Sequence, residues 1–318
     1  MRSLLLAVLW FFPLLTFAAV EKVEAYDMSV FKNDVKKYYK TVERARSNDL
    51  TQRIHAASGY FLGKPYMLFP QGEGKRGKYD QKPTYRTDAF DCVTYVEAVI
   101  ALSLANDYKT FEKFLMQLRY KNGRLGFITR NHITSVDWNK NNSPWVKDIT
   151  NEITDNQGWP VTQFARVMID KGGFFRVKAD SPLYLLKEIT PKEEDKRREV
   201  LTRFAYKQQP QDGTMLYIPL TRLFNKKQKP NEALFKQIPD GTIVQIIRPN
   251  WDVREKVGTN LNVSHMGFAI KKDGKLYYRE ASSIDKKVID ILLTSYLKKQ
   301  LKSPTVKGIA VFKVVVPA

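Results

Sequence analysis

The spacing of apolar residues changes twice along the chain. Residues 4–19 are almost wholly apolar, with no charge and no period. Phe31, Val35, Tyr38 and Val42 then recur at helical spacing and predict a helix over 28–46. Leu50, Ile54, Ala57 and Phe61 form the face of a second helix, stopped by Gly63 with Pro65 just beyond. Residues 69–82, rich in Gly, Lys and Gln, read as an exposed loop. Dense helical spacing returns over 90–104 and again over 111–118. Between 121 and 143 the period dissolves into Asn, Arg, Gly and Trp, a loop long enough to expect function in it. Residues 187–211 are mostly charged and read as a solvated helix or flap.

Beyond that point the chain turns to short β-type runs, over 215–219, 242–247, 265–270, 275–279 and 309–316. Asp273-Gly274 between two of them is a strong hairpin signal. Helices first and strands later predict an α+β fold with an antiparallel sheet. No internal repeat is visible.

Composition adds a charge problem. With 53 Lys and Arg against 33 Asp and Glu, the 318-residue chain carries a formal charge of +20. That excess asks for acidic company: nucleic acid, anionic lipid or an anionic wall polymer. The N-terminus narrows the choice. Arg2, the apolar run behind it and the small residues of Thr16-Phe17-Ala18 or Val23-Glu24-Ala25 have the form of a secretory signal with its cleavage context. The run is short for a span of about 20 residues, and none like it follows. The expectation is a signal peptide over 1–25 and a single domain over 26–318 with an insertion around 121–212. The mature chain is then periplasmic or secreted, without stable membrane insertion, and nucleic acid drops out as a partner. Oligomeric state stays open.

The scarce residues decide the candidate chemistry. One cysteine excludes an internal disulfide and a Cys-rich metal site. Three scattered histidines, with no His-Glu-x-x-His, argue against zinc, so no metal or other cofactor is expected. Cys92 follows Asp88 and Asp91, either a good N-cap, which puts it in the first turn of a helix. There, free backbone N–H groups and the helix dipole favour a thiolate and an oxyanion. The bland alternative is a small buried apolar residue. Of the possible bases, His55 lies on an ordinary helix face and His132 in the long loop, while His265 opens a strand. His265 comes after Cys92, the order of papain-like enzymes. Its hairpin partner offers Glu280 as the carboxylate that orients the ring. In the loop, Arg130 can pair with an anion and Trp138 can present a flat face to a sugar. Arg86, close before the thiol, is a further carboxylate holder.

These residues resemble the papain-like cell-wall cysteine hydrolases of NlpC type. Within them the chain is most similar to a family described as N-acetylmuramoyl-L-alanine amidase-like, once a domain of unknown function. The resemblance spans roughly residues 28–316. It rests on Gly63-Lys64-Pro65-Tyr66, the segment Phe90-Asp91-Cys92-Val93-Thr94-Tyr95-Val96-Glu97, Arg130-Asn131-His132 with Asp137-Trp138, and Ser264-His265-Met266-Gly267. It implies a papain-like NlpC-type fold, Cys92 as nucleophile, His265 as base and Tyr66 as the tyrosine beside the thiol. Arg279-Glu280-Ala281 stands where many relatives carry His, Asn or Gln as third group. The implied reaction is hydrolysis of the amide between a muramyl sugar and the first L-alanine of its peptide, on peptidoglycan fragments including anhydro-muropeptides. Arg130, His132, Trp138 and Arg86 are then the candidate substrate contacts. A D,L-endopeptidase acting further along the stem peptide is the alternative within the fold. A non-catalytic binder of envelope polymer, carried by charge, is the alternative outside it.

Overall fold

The computed structural model describes residues 20–316, so most of the expected signal peptide lies outside the described residues. Its last residues do not. Within the stretch assigned to the signal, Val20–Lys22 form strand β1, paired in parallel with Leu183–Leu185, and Val23 is buried. A boundary at residue 25 would cut through this packed segment.

Four helices follow, each started by an aspartate. Asp27 caps α1 (Met28–Thr41), Asp49 caps α2 (Leu50–Tyr60), Asp91 caps α3 (Cys92–Leu104) and Asp107 caps α4 (Tyr108–Arg119). In α3 and α4 the reciprocal bond from Thr94 and Thr110 completes a capping box, so two orphan N-terminal donors are satisfied at once. The helix α3 is apolar on almost every side and is correspondingly central: residues 94–103 are all buried. The loop expected over 69–82 is irregular but not exposed throughout. Gln71, Glu73, Tyr79 and Asp80 are buried, and Arg130 engages the Glu73 and Asp80 carboxylates inside the fold.

The sheet takes its strands in the chain order β2 (Val146–Asp148), β3 (Gln163–Ala165), β5 (Met215–Pro219), β6 (Thr242–Asp252), β7 (Asn260–Lys272), β8 (Lys275–Ser282), β9 (Lys287–Leu292) and β10 (Gly308–Val314); Leu183–Leu185, outside it, is β4. Its spatial order is β9-β8-β7-β6-β10-β5-β3, with β2 beside β10, and every pairing in it is antiparallel. The β7–β8 hairpin turns at Asp273-Gly274, both with positive φ, as the sequence signal requires. The fold is thus α+β with an antiparallel sheet. Strands β2 and β3 fall inside 121–212, so part of that stretch is sheet rather than insertion.

Helices α1 to α4 pack on one sheet face, where Tyr95, Val99, Phe268 and Ile270 share a core. The opposite face is covered by the C-terminal helix Leu293–Gln300, through Leu293 and Leu297, and by neighbouring segments. The remaining insertion, α5 (Lys171–Asp180) and α6 (Pro191–Tyr206), builds a third core with Ile133, Val167, Phe174, Phe175 and Leu201. No helix among the described residues is long and apolar enough to cross a membrane.

Candidate active site

The thiol stands where the sequence places it. Cys92 is the first residue of α3, half-buried, directly after the capping Asp91. A short parallel bridge sets Tyr66 beside Phe90: Phe90 N–H donates to Pro65 O (3.0 Å) and Met67 N–H to Phe90 O (2.9 Å). That bridge carries Tyr66 to the side of the nucleophile, and both line one cavity of about 790 Å³.

His265 reaches the same cavity from β7. Carried one residue past Arg279–Phe268, the β7–β8 register sets Glu280 opposite Gly267, on the face that also carries His265. Glu280 accordingly meets His265, Nε2 against Oε2, and is itself buried. The Gly267 position is tight, since a Cβ there would lie 2.6 Å from Arg279 O. With Nε2 held by Glu280, Nδ1 is the ring nitrogen left for the Cys92 sulfur, which lines the same cavity.

The electrostatics follow from this placement. Burial disfavours a charged His265, but attraction and hydrogen bonding from Cys92, reinforced by Glu280, outweigh it and push the imidazole up to about 10. Burial, with the nearby Cys92, Asp91 and Glu280 charges, pushes the Tyr66 phenol up to about 12, so it keeps its proton. The arrangement can hold a thiolate–imidazolium pair. It can also offer a carbonyl oxygen two donors, a helix N-terminal N–H and a phenol.

The other candidates fare differently. Trp138 is fully buried in the core around α3, and its Nε1–H donates to Glu97 Oε1 (3.1 Å). It presents no face to a sugar, because it serves to satisfy a buried carboxylate. Burial pushes that Glu97 carboxyl up to about 7 against the opposing pull of Arg119. Arg86 is not part of the cavity wall; it closes a fork on Asp88 at 2.8 and 2.7 Å. Arg130 does line the cavity, but its guanidinium is taken by Glu73 and by Asp80 (3.3 Å). His132 lines it too, donating from Nε2–H to Phe127 O (2.7 Å) and packed against Phe127, Phe174 and Phe175. Burial holds its ring well below the usual imidazole range, so it is neutral. His55 is engaged with Asp240 at 2.8 Å, away from the cavity. Trp251, Lys82 and Lys178 are among the wall residues that the sequence reading does not single out. Trp251 lies four residues beyond the expected strand end, after Pro249.

Fold and cleft together define a mixed helix-and-sheet protein with a thiol and an imidazole on one cavity and a carboxylate behind the imidazole. Over residues 56–306 the sequence matches the model of the N-acetylmuramoyl-L-alanine amidase-like family, and the chain belongs to that family. It is 40% identical to a Legionella pneumophila str. Philadelphia 1 protein from a domain-of-unknown-function family, over 91% of this chain and 95% of that one, with a TM-score of 0.85. It shares its fold with a Bacteroides uniformis structure named as an N-acetylmuramoyl-L-alanine amidase, at 24% identity, 84% and 99% coverage and a TM-score of 0.55. No curated protein matches the chain.

Proposed function

We propose that the chain is an exported cysteine amidase that hydrolyses the N-acetylmuramoyl-L-alanine bond of peptidoglycan fragments, with the papain-like, NlpC-type arrangement of its site. The observation that carries this reading is Cys92 at the start of α3 joined to His265, with Glu280 behind the ring. Family membership supports the choice of bond.

The chemistry is as follows. The Cys92 thiolate attacks the lactyl carbonyl carbon, and the π pair moves to oxygen. The Cys92 backbone N–H and the Tyr66 hydroxyl hold that oxyanion. When it collapses the C–N bond breaks, and the His265 imidazolium protonates the departing L-alanine amine. A muramoyl thioester remains on Cys92. Neutral His265 then takes a proton from water, hydroxide adds to the thioester, and the thiolate leaves. Glu280 keeps Nδ1 aimed at sulfur and stabilises the imidazolium. Trp251, stacked on Arg248 (4.6 Å) in the cavity wall, takes the sugar-facing role that Trp138 is too buried to fill.

Product masses from a defined muramyl tetrapeptide test the bond. The proposal expects the free sugar acid and an intact stem peptide beginning with L-alanine; a cut within the stem would make the chain an endopeptidase. Export has its own test. The paired Val20–Lys22 and buried Val23 support processing after Ala18, at the earlier of the two small-residue contexts, which makes Ala19 the first residue. N-terminal sequencing of protein from the envelope fraction should begin there; a start at Tyr26 would overturn this placement.

A further inference from the structure

The cavity wall built by the insertion carries charge that the amide chemistry does not use. Arg130, Lys82 and Lys178 line it with Asp80, and the Glu73 carboxylate lies behind Arg130. Arg130 engages both acids. Asp80 can approach because residue 72 is glycine; a Cβ there would lie 2.4 Å from Asp80 Oδ1. Lys82 Nζ lies 3.6 Å from Asp80 Oδ2 and donates to Phe69 O at 2.8 Å. That bond ties down Phe69, whose backbone is left-handed at φ 49°.

Lys178 is the odd group. Its Nζ has no hydrogen-bond or ion-pair partner among the described residues, and it stands over the rings of Phe69 (5.6 Å) and Phe174 (5.5 Å). Burial, with the positive charges of Arg130 and Lys82, pushes this amine below the usual lysine range. Arg130 and Lys82 pair with these carboxylates, which leaves Lys178 as the cation without an ion-pair partner in a partly dehydrated wall. Such a charge is held at a cost that an incoming anion relieves. A single unpaired ammonium matches a carboxylate better than a doubly charged phosphate, and the flanking rings leave apolar room for the chain that bears it.

We infer that Lys178, with Lys82 beside it, forms a subsite for a free carboxylate on the peptide portion of the ligand that reaches Cys92. The inference rests on the amidase reading and deepens it by saying which feature of the peptide is recognised. Lys178 is a positioning residue that orients the leaving peptide and takes no part in proton transfer.

Binding, rather than turnover, tests it. Cys92→Ala protein is titrated with a muramyl dipeptide ending in glutamate and with its fully amidated counterpart, at low and at moderate salt. The free-carboxylate form should bind roughly tenfold or more tightly, as a charge-assisted contact of this kind provides. Lys178→Gln in the same background should abolish the preference, while Lys178→Arg should keep it. Equal binding of the two peptides, or a preference that survives Lys178→Gln in a folded protein, overturns the subsite. Cleavage by the unmodified protein is scored separately. A carboxylate preference without turnover keeps the subsite and refutes the amidase reading; turnover with equal binding does the reverse.

Discussion

The two walls of the cleft are built in opposite ways. On one, Cys92, His265 and Glu280 come from a helix start and one hairpin, and each group is paired with the next. On the other, Glu73, Asp80, Lys82, Arg130 and Lys178 come from three segments, and Lys178 has no ion-pair partner among the described residues. The first wall is closed on itself, as a proton-transfer relay has to be. The second leaves Lys178 unpaired, which suits a surface that takes a ligand. On the proposed reading reaction and recognition are separable, and substitutions should separate them.

The largest separation is expected at Glu280. Glu280→Gln should lower kcat by roughly 10²-fold to 10⁴-fold, because the imidazolium loses its counter-charge. It should also change the pH profile. Activity needs a protonated His265 to release the amine, so kcat/KM falls as pH rises through the imidazole value of about 10. Without the Glu280 charge that value drops, and the basic limb moves to lower pH. An unmoved limb would remove Glu280 from the relay. The sign for stability is the same. The folded chain holds this proton more tightly than the unfolded one, so the benefit is complete below about pH 6.5. It is lost as pH rises toward about 10.

The two tryptophans give the next contrast. Trp251→Ala should raise KM by about tenfold and leave thermal stability nearly unchanged, since a wall ring in an open cavity contributes mainly to binding. Trp138→Phe should leave KM alone and cost about 1–3 kcal/mol in denaturant unfolding, because Glu97 Oε1 loses its buried donor. Exchange of those two outcomes would restore Trp138 as the sugar platform. The smallest effect belongs to Arg86→Ala. Its bond to the half-exposed Asp88 makes a surface pair, and both activity and stability should stay within about 1 kcal/mol of the unchanged protein.

The paired wall was largely legible in the sequence because its geometry is local. Asp91 before Cys92 marks a helix start, and Asp273-Gly274 fixes the hairpin that brings Glu280 to His265. The core helices and most strands were legible for the same reason, through their apolar period. The recognition wall was not. Residues 69–82 look solvated by composition, yet Glu73 and Asp80 are buried by a partner, Arg130, fifty or more positions away. Helix α5 was missed because Gly172-Gly173 reads as a break. Those glycines permit close packing instead: a Cβ at Gly173 would lie 2.2 Å from Gly258 O. Trp251 was overlooked because Pro249 argues for a strand end, whereas β6 continues through a register shift between Ile247 and Trp251. Which tryptophan is buried depends on tertiary packing, and spacing carries no record of that.

The central claim is that Cys92 is the nucleophile. It is tested most directly by incubating unmodified and Cys92→Ala protein with one defined muramyl peptide and weighing both products and protein. The account predicts sugar acid and intact stem peptide from the unmodified protein, with a muramoyl adduct on the Cys92 peptide in rapidly quenched samples. It predicts a loss of about 10⁴-fold or more in the variant. Cleavage by the Cys92→Ala protein at the unmodified rate would contradict it.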